Sequence, residues 1–291
     1  MINEQTVQQD IEQLQSLIVL VETYETIAGT SVRRIRSSVL ANRAFHIGLN
    51  RMFRETTDAY RKEVDRMMEK KKIRREGHIS LMKHTKKTVL MLLSANTGLY
   101  GDVINRTFMA FVTEIKRTEA DIVIIGRMGK MFFEETMPGK EFTYFNFPDN
   151  AIDIESLKQI TGNLNQYEKV VAFYAVFKNL LTQQVRASII SGAELPTEKS
   201  DEKSVQAYFF EPSLEEVSLF FETEIFASLL EQIFHESRLA KLASRMVLLD
   251  HAIINIESEL KRTSLSKQRV HHRTLNRHLL DSLSGVSLWS Q

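Results

Sequence analysis

Residues 239–260, LAKLASRMVLLDHAIINIESEL, decide the fold. Leu239, Leu242, Met246, Leu249, Ile253, Ile256 and Leu260 fall at alternating steps of three and four, the a and d positions of a heptad. Near the other end of the chain Ile11, Leu14, Ile18, Val21, Glu25, Ala28, Val32, Ile35 and Val39 repeat the alternation, with Glu25 as the polar intrusion. So narrow an apolar stripe needs a partner helix. The two stretches are expected to pair antiparallel, with the intervening chain as a globular insert.

Composition leaves most function classes without support. A net charge of +1 gives no global attraction to nucleic acid or to an anionic membrane. No cysteine is present, which excludes disulfides and thiolate metal sites. The early apolar run at residues 17–21 is far short of the roughly 20 residues a span needs, and it lacks the flanks of a signal peptide. A soluble subunit on the cytoplasmic side is expected.

From residue 5 to about 73 there is no proline and only Gly29 and Gly48 interrupt, while the register continues through Leu49, Phe53, Tyr60 and Met67. A helix of that length would reach on the order of 100 Å, beyond any small globular body. The charged run at 69–77, EKKKIRREG, reads as its solvated end. TVLMLLS (88–94) is a buried strand, followed by a turn through Asn96, Gly98 and Gly101, a helix over 103–115 and a second buried strand, DIVIIG (121–126). This is a βαβ unit with parallel strands. A helix near 152–163, strands at 169–177 and 184–190, a polar linker at 192–204 and a short strand at 207–210 follow. Ser213 is placed to cap a final helix with Glu215 and Glu216 in its first turn and no glycine until Gly285. The fold class is therefore α/β: a Rossmann-like head at 77–211 between coiled-coil helices at 1–76 and 212–291.

No catalytic constellation declares itself. Gly98-x-x-Gly101 sits between strand and helix, where backbone N–H groups can cradle phosphate, but it lacks the third glycine of a dinucleotide fingerprint and the ending of a P-loop. Gly126-Arg127-Met128-Gly129-Lys130 reads as a turn. His271 and His278 are a heptad apart rather than at zinc-pair spacing, and His272 adds no carboxylate neighbour. More informative is residues 261–277, where Lys261, Arg262, Lys267, Arg269, Arg273 and Arg277 occur with no acid, and the heptad turns polar at Thr263 and Lys267. One account is an exposed helix end; the other is a helix gripped by an acidic or carbonyl-rich surround. Leu275, Leu279, Leu283 and Val286 then restore an apolar face.

Several stretches in one order carry a resemblance. Ser94-Ala95-Asn96-Thr97-Gly98-Leu99-Tyr100-Gly101 follows a strand, as D-R/K-G-L-C-G does; Ile125-Gly126-Arg127-Met128-Gly129 with Phe132-Phe133 is similar to I-G-x-K-G-x-x-F-F; Tyr208-Phe209-Phe210-Glu211-Pro212-Ser213 is similar to Y-x-Y-E-P-S. Ala243-Ser244-Arg245-Met246, with Ala252 and Asn255 downstream, is similar to A-x-R-M, and Leu283-Ser284-Gly285 closes the series. Together they resemble the gamma subunit, the central rotor, of F-type ATP synthases over nearly the whole length. The helix tips depart from that family. Where it carries I-T-K-A-M-x-M-V-A-A-S-K-M-R, residues 20–33 keep Ala28 and Arg33 but have Glu22 and Ser31 for two lysines. Its I-T-x-E-L becomes Leu275-Asn276-Arg277-His278-Leu279, and its N-K-x-R fits residues 267–271 in two registers. That pattern is similar to a divergent rotor, such as one of an alternative, sodium-linked ATPase.

The resemblance implies a non-catalytic shaft with no cofactor and no metal. Three alpha and three beta subunits would surround its helices. The head would carry an epsilon subunit and rest on the c-ring, peripheral to the cytoplasmic face of a plasma membrane. Subunit contacts are implied at Arg33, Lys267, Arg269, Arg273, Arg277, Leu279 and Leu283. Two other readings compete: a coiled-coil scaffold with a small-molecule-binding α/β head, and an α/β enzyme using the Gly98–Gly101 turn.

Overall fold

Helix α1 (Glu4–Ala59) buries, fully or in part, Val7, Ile11, Leu14, Ile18, Val21, Glu25, Ala28, Val32, Ile35 and Val39, while most of the residues between them are exposed. The seam read from the heptad is thus the seam that packs, and it extends through Asn42, His46 and Leu49. The computed structural model describes residues 4–59, 78–79, 85–190, 193–194 and 214–289. Tyr60, Met67, the helix end expected near 73, the strand expected at 207–210 and the Ser213 cap lie outside them. Two compact units result, Met1–Thr30 with Arg245–Gln291, and Ser31–Ser244.

In the first unit α1 pairs with the end of α5 (Leu214–Trp289). A Cβ on Gly29 would lie 3.8 Å from Met246 Cε, and Lys267 Nζ donates to Gln8 Oε1 over 2.6 Å. As many residues separate Gly29 from Gln8 as separate Met246 from Lys267, so the helices run antiparallel in constant register.

In the second unit the chain forms β1 (His78–Ile79), β2 (Thr85–Leu93), α2 (Val103–Ile115), β3 (Asp121–Ile125), α3 (Arg127–Thr136), β4 (Thr143–Phe145), α4 (Ile154–Leu164), β5 (Tyr167–Phe177), β6 (Gln183–Ile189) and β7 (Ala193–Glu194). The main sheet runs β4-β3-β2-β5-β6, parallel except for β6, and β1 pairs with β7 apart from it. Continuous apolar runs suit strands covered on both faces. Val89, Met91, Leu93, Val123 and Ile125 point to Ile160 and Leu164 of α4 and to Phe226, Leu230, Ile233 and Phe234 of α5. Leu90, Leu92, Ile122 and Ile124 point the other way, to Phe108, Phe111 and Val112 of α2 and Phe133 of α3. The α5 segment also packs on α1 in this unit, Leu239 and Leu242 against Val32, Ile35 and Val39. Flanked by sheet and helix, α5 has no exposed residue from 223 to 249.

One expectation is corrected. The stretch Gly126–Lys130 is the start of helix α3 rather than a turn. Gly126 has φ +99, and a Cβ there would stand 2.8 Å from Ala95 N; on Gly129 it would stand 2.7 Å from Ser94 Cβ. These glycines let a helix press on the strand end, so their role is close approach.

Candidate interaction surface

The residues expected to make contacts fall in two places, each within its own unit. Arg33 is exposed on α1 in the sheet-bearing unit. In the other unit Lys267 is half-buried with its bond to Gln8, whereas Arg269, Arg273, Arg277, Leu279 and Leu283 are exposed on α5, the two leucines at 62% and 67%. Every residue from 271 to 280 is exposed. Here α5 carries arginines, leucines and no acid. Where the heptad turned polar the helices are joined by the Lys267–Gln8 bond, and the leucines beyond are exposed.

The loop after β2 has a different occupant from the one its glycines suggest. Asp149 takes hydrogen bonds from Asn96 N, Thr97 N and Thr97 Oγ1 at 2.9 to 3.1 Å. An internal carboxylate therefore takes the backbone N–H groups at the start of this loop. Asn96 ties the loop to its neighbours, donating from Nδ2 to Asn146 Oδ1 and the Phe147 carbonyl, and accepting from Arg127 N at Oδ1. Beside it lies a cavity of about 10 Å³ lined by Ser94, Asp149, Arg238 and Lys241, room for one water and no metabolite.

Sequence reasoning missed Lys241 and Asp149. Lys241 Nζ donates to the Ser94 carbonyl over 2.8 Å and lies 3.8 Å from Asp149 Oδ1, with side chains only 8% and 6% exposed. The signal that could have found it is a lone lysine among Leu239, Ala240, Leu242 and Ala243. One turn earlier, Arg238 donates to the Asn150 carbonyl. Burial, with Arg34 adding repulsion, pushes the Arg238 pKa below its ordinary value. The family motif has D-R/K where this chain has Asn96-Thr97; the charges come instead from Asp149 and α5.

Among the described residues no cluster of histidines and acids could hold a metal, and no helix is long and apolar enough to cross a membrane. A sequence model described as ATP synthase matches residues 3–287. The ATP synthase gamma chain of Desulforudis audaxviator is 21% identical over 300 residues, covering 95% of this chain and 96% of that one. That of Geobacter sp. strain M21 is 21% identical over 301 residues, covering 98% of each. Of solved structures, a chain of the Tetrahymena thermophila mitochondrial ATP synthase central stalk and c-ring covers 80% of this chain and 99% of itself, with 17% identity and a TM-score of 0.55. A chain of the Euglena gracilis mitochondrial ATP synthase (OSCP, F1 and c-ring) covers 89% and 94%, with 11% identity and a TM-score of 0.53. These two likenesses concern the fold.

Proposed function

This chain belongs to the ATP synthase family, on the gamma-chain side of it, and on that premise we propose how it works as the non-catalytic central stalk of the rotor. Its helical pair stands inside a hexamer of alpha and beta subunits, contacting them through Arg33, Lys267, Arg269, Arg273, Arg277, Leu279 and Leu283. Its α/β head binds an epsilon subunit and the c-ring at the cytoplasmic face of the membrane. The work divides between a helix at 1–76, a head at 77–211 and a helix at 212–291. As the asymmetric shaft turns, it favours a different conformation at each catalytic site in succession, which couples ion flow to ATP synthesis or hydrolysis.

The observation that carries this reading is the change along α5. No residue of the helix from 223 to 249 is exposed, whereas every residue from 271 to 280 is, leucines and arginines among them. Exposed apolar residues amid positive charge mark a surface that another protein covers. The test is reconstitution with the alpha and beta subunits of its own complex. The chain alone hydrolyses no ATP, and the assembly holds one copy and turns over ATP continuously. ATP turnover by the purified chain, or an assembly whose rate ignores it, would overturn the reading.

A further inference from the structure

We propose that Lys241 and Asp149 form a torsional latch that locks α5 to the head, so that torque passes between sheet and shaft without the helix slipping about its own axis; this rests on the rotor function above. Apolar packing holds α5 on the sheet, with Phe234 and Phe147 rings 4.4 Å apart and Leu230 and Ile233 buried. Such packing holds the helix on the sheet, but being non-directional it selects one rotation about the helix axis less sharply than directional bonds do. Hydrogen bonds are directional, and a buried ion pair specifies one arrangement better than it stabilises it.

The latch reaches the ends of three parallel strands. Lys241 bonds the Ser94 carbonyl just past β2 and faces Asp149 in the loop after β4. Asp149 takes the N–H groups of Asn96 and Thr97, and Asn96 accepts from Arg127 N at the start of α3, two residues past β3. Close by along α5, Ser244 Oγ donates to the Tyr100 carbonyl over 2.7 Å. A Cβ on Gly101 would stand 2.9 Å from that Oγ. The bonds from Lys241 and Ser244 thus hold a single helical turn of α5 at two points, which fixes its rotation.

Lys241 and Asp149 are positioning residues, so the readout is ions moved per ATP hydrolysed in the membrane-bound complex. The double variant Lys241→Met with Asp149→Asn removes both charges and leaves no unpaired ion. It should keep ATP hydrolysis within about twofold and lower the ion-to-ATP ratio at least about threefold, and Lys241→Arg with Asp149 intact should keep most of that ratio. In the double-variant background, adding Gly101→Cys and Ser244→Cys supplies a covalent replacement, since a Cβ on Gly101 would stand 2.9 Å from the Ser244 Oγ position, at a φ of +60 that strains a side chain, and the chain has no other cysteine. Oxidation should restore the ratio and reduction abolish it in one sample, which a folding defect cannot imitate. A double variant coupled like the wild type, or one whose ratio ignores the disulfide, overturns the latch. A wild-type chain that adds nothing to hydrolysis overturns the rotor function and the latch with it.

Discussion

Lys267 Nζ and Gln8 Oε1 meet at 2.6 Å where the apolar seam of the helical pair gives way to polar residues. A directional bond at the end of a seam pins register in a way that leucines, which can slide by a heptad, do not. With Gly29 beside Met246 it sets an antiparallel register that brings the seam residues Ile18 and Ile256, Val21 and Ile253, and Glu25 and Leu249 to within one residue of facing positions.

That register is open to cross-linking. Ile18→Cys with Ile256→Cys should form an intramolecular disulfide under mild oxidation. Ile18→Cys with Leu249→Cys should not, because one heptad of displacement carries the sulfurs about 10 Å apart. Reversed yields on non-reducing gels would show a different register.

Leu249 is 4% exposed and Glu25 half-buried on the same seam. Leu249→Ala should destabilise by about 2–5 kcal/mol through lost contact and a residual cavity. Glu25→Leu should stabilise by about 1 kcal/mol, because a half-buried carboxylate gives way to an apolar group among apolar neighbours. Denaturant titration followed by circular dichroism reads both signs.

Two glycines with positive φ separate crowding from conformation. Gly126→Ala drives a Cβ to 2.8 Å from Ala95 N and should cost about 3 kcal/mol or more. Gly139, at φ +83, has nothing within 4 Å of a Cβ, so Gly139→Ala should cost only the backbone term, about 1 kcal/mol. Equal losses in a thermal melt would mean that the contact with Ala95 is relieved.

His46 sits on the α1 seam, its Nδ1 3.5 Å from Ser228 Oγ, and burial pushes its pKa below the ordinary 6.5. As pH falls the unfolded chain takes up this proton first, so the stability is fully present above about 6.5 and is lost as pH drops through the folded value. Melting temperature should therefore fall between about pH 7.5 and 5.5 more in the wild type than in His46→Gln. Parallel curves would leave His46 no part in the acid sensitivity.

Arg269→Glu with Arg273→Glu should lower the ATPase of the reconstituted complex most at low ionic strength. The gap to wild type should narrow as salt rises, because exposed charges are screened over roughly 8 to 10 Å at physiological strength. A gap independent of salt would mean that these arginines act through packing.

The sequence by itself determined the two seams and the parallel pair of β2 and β3. Their information is periodic and local: steps of three and four from Leu239 to Leu260, and unbroken apolar runs in β2 and β3, need no knowledge of partners. The antiparallel pair and the βαβ unit followed from it, as did the basic stretch near Arg269. Only the tertiary structure decided that Phe226, Leu230, Ile233 and Phe234 cover a sheet, since a heptad reading assigns one buried face to a helix that has two. It also decided what binds the backbone of Asn96 and Thr97, just ahead of the Gly98–Gly101 turn. Asp149 lies 53 residues from Asn96, and Lys241 lies 147 from Ser94. Each is an ordinary surface charge by composition. Each becomes a buried partner because the desolvation cost of a charge is met only where a fold brings the opposite charge and polar backbone together, and no period in the chain records that meeting.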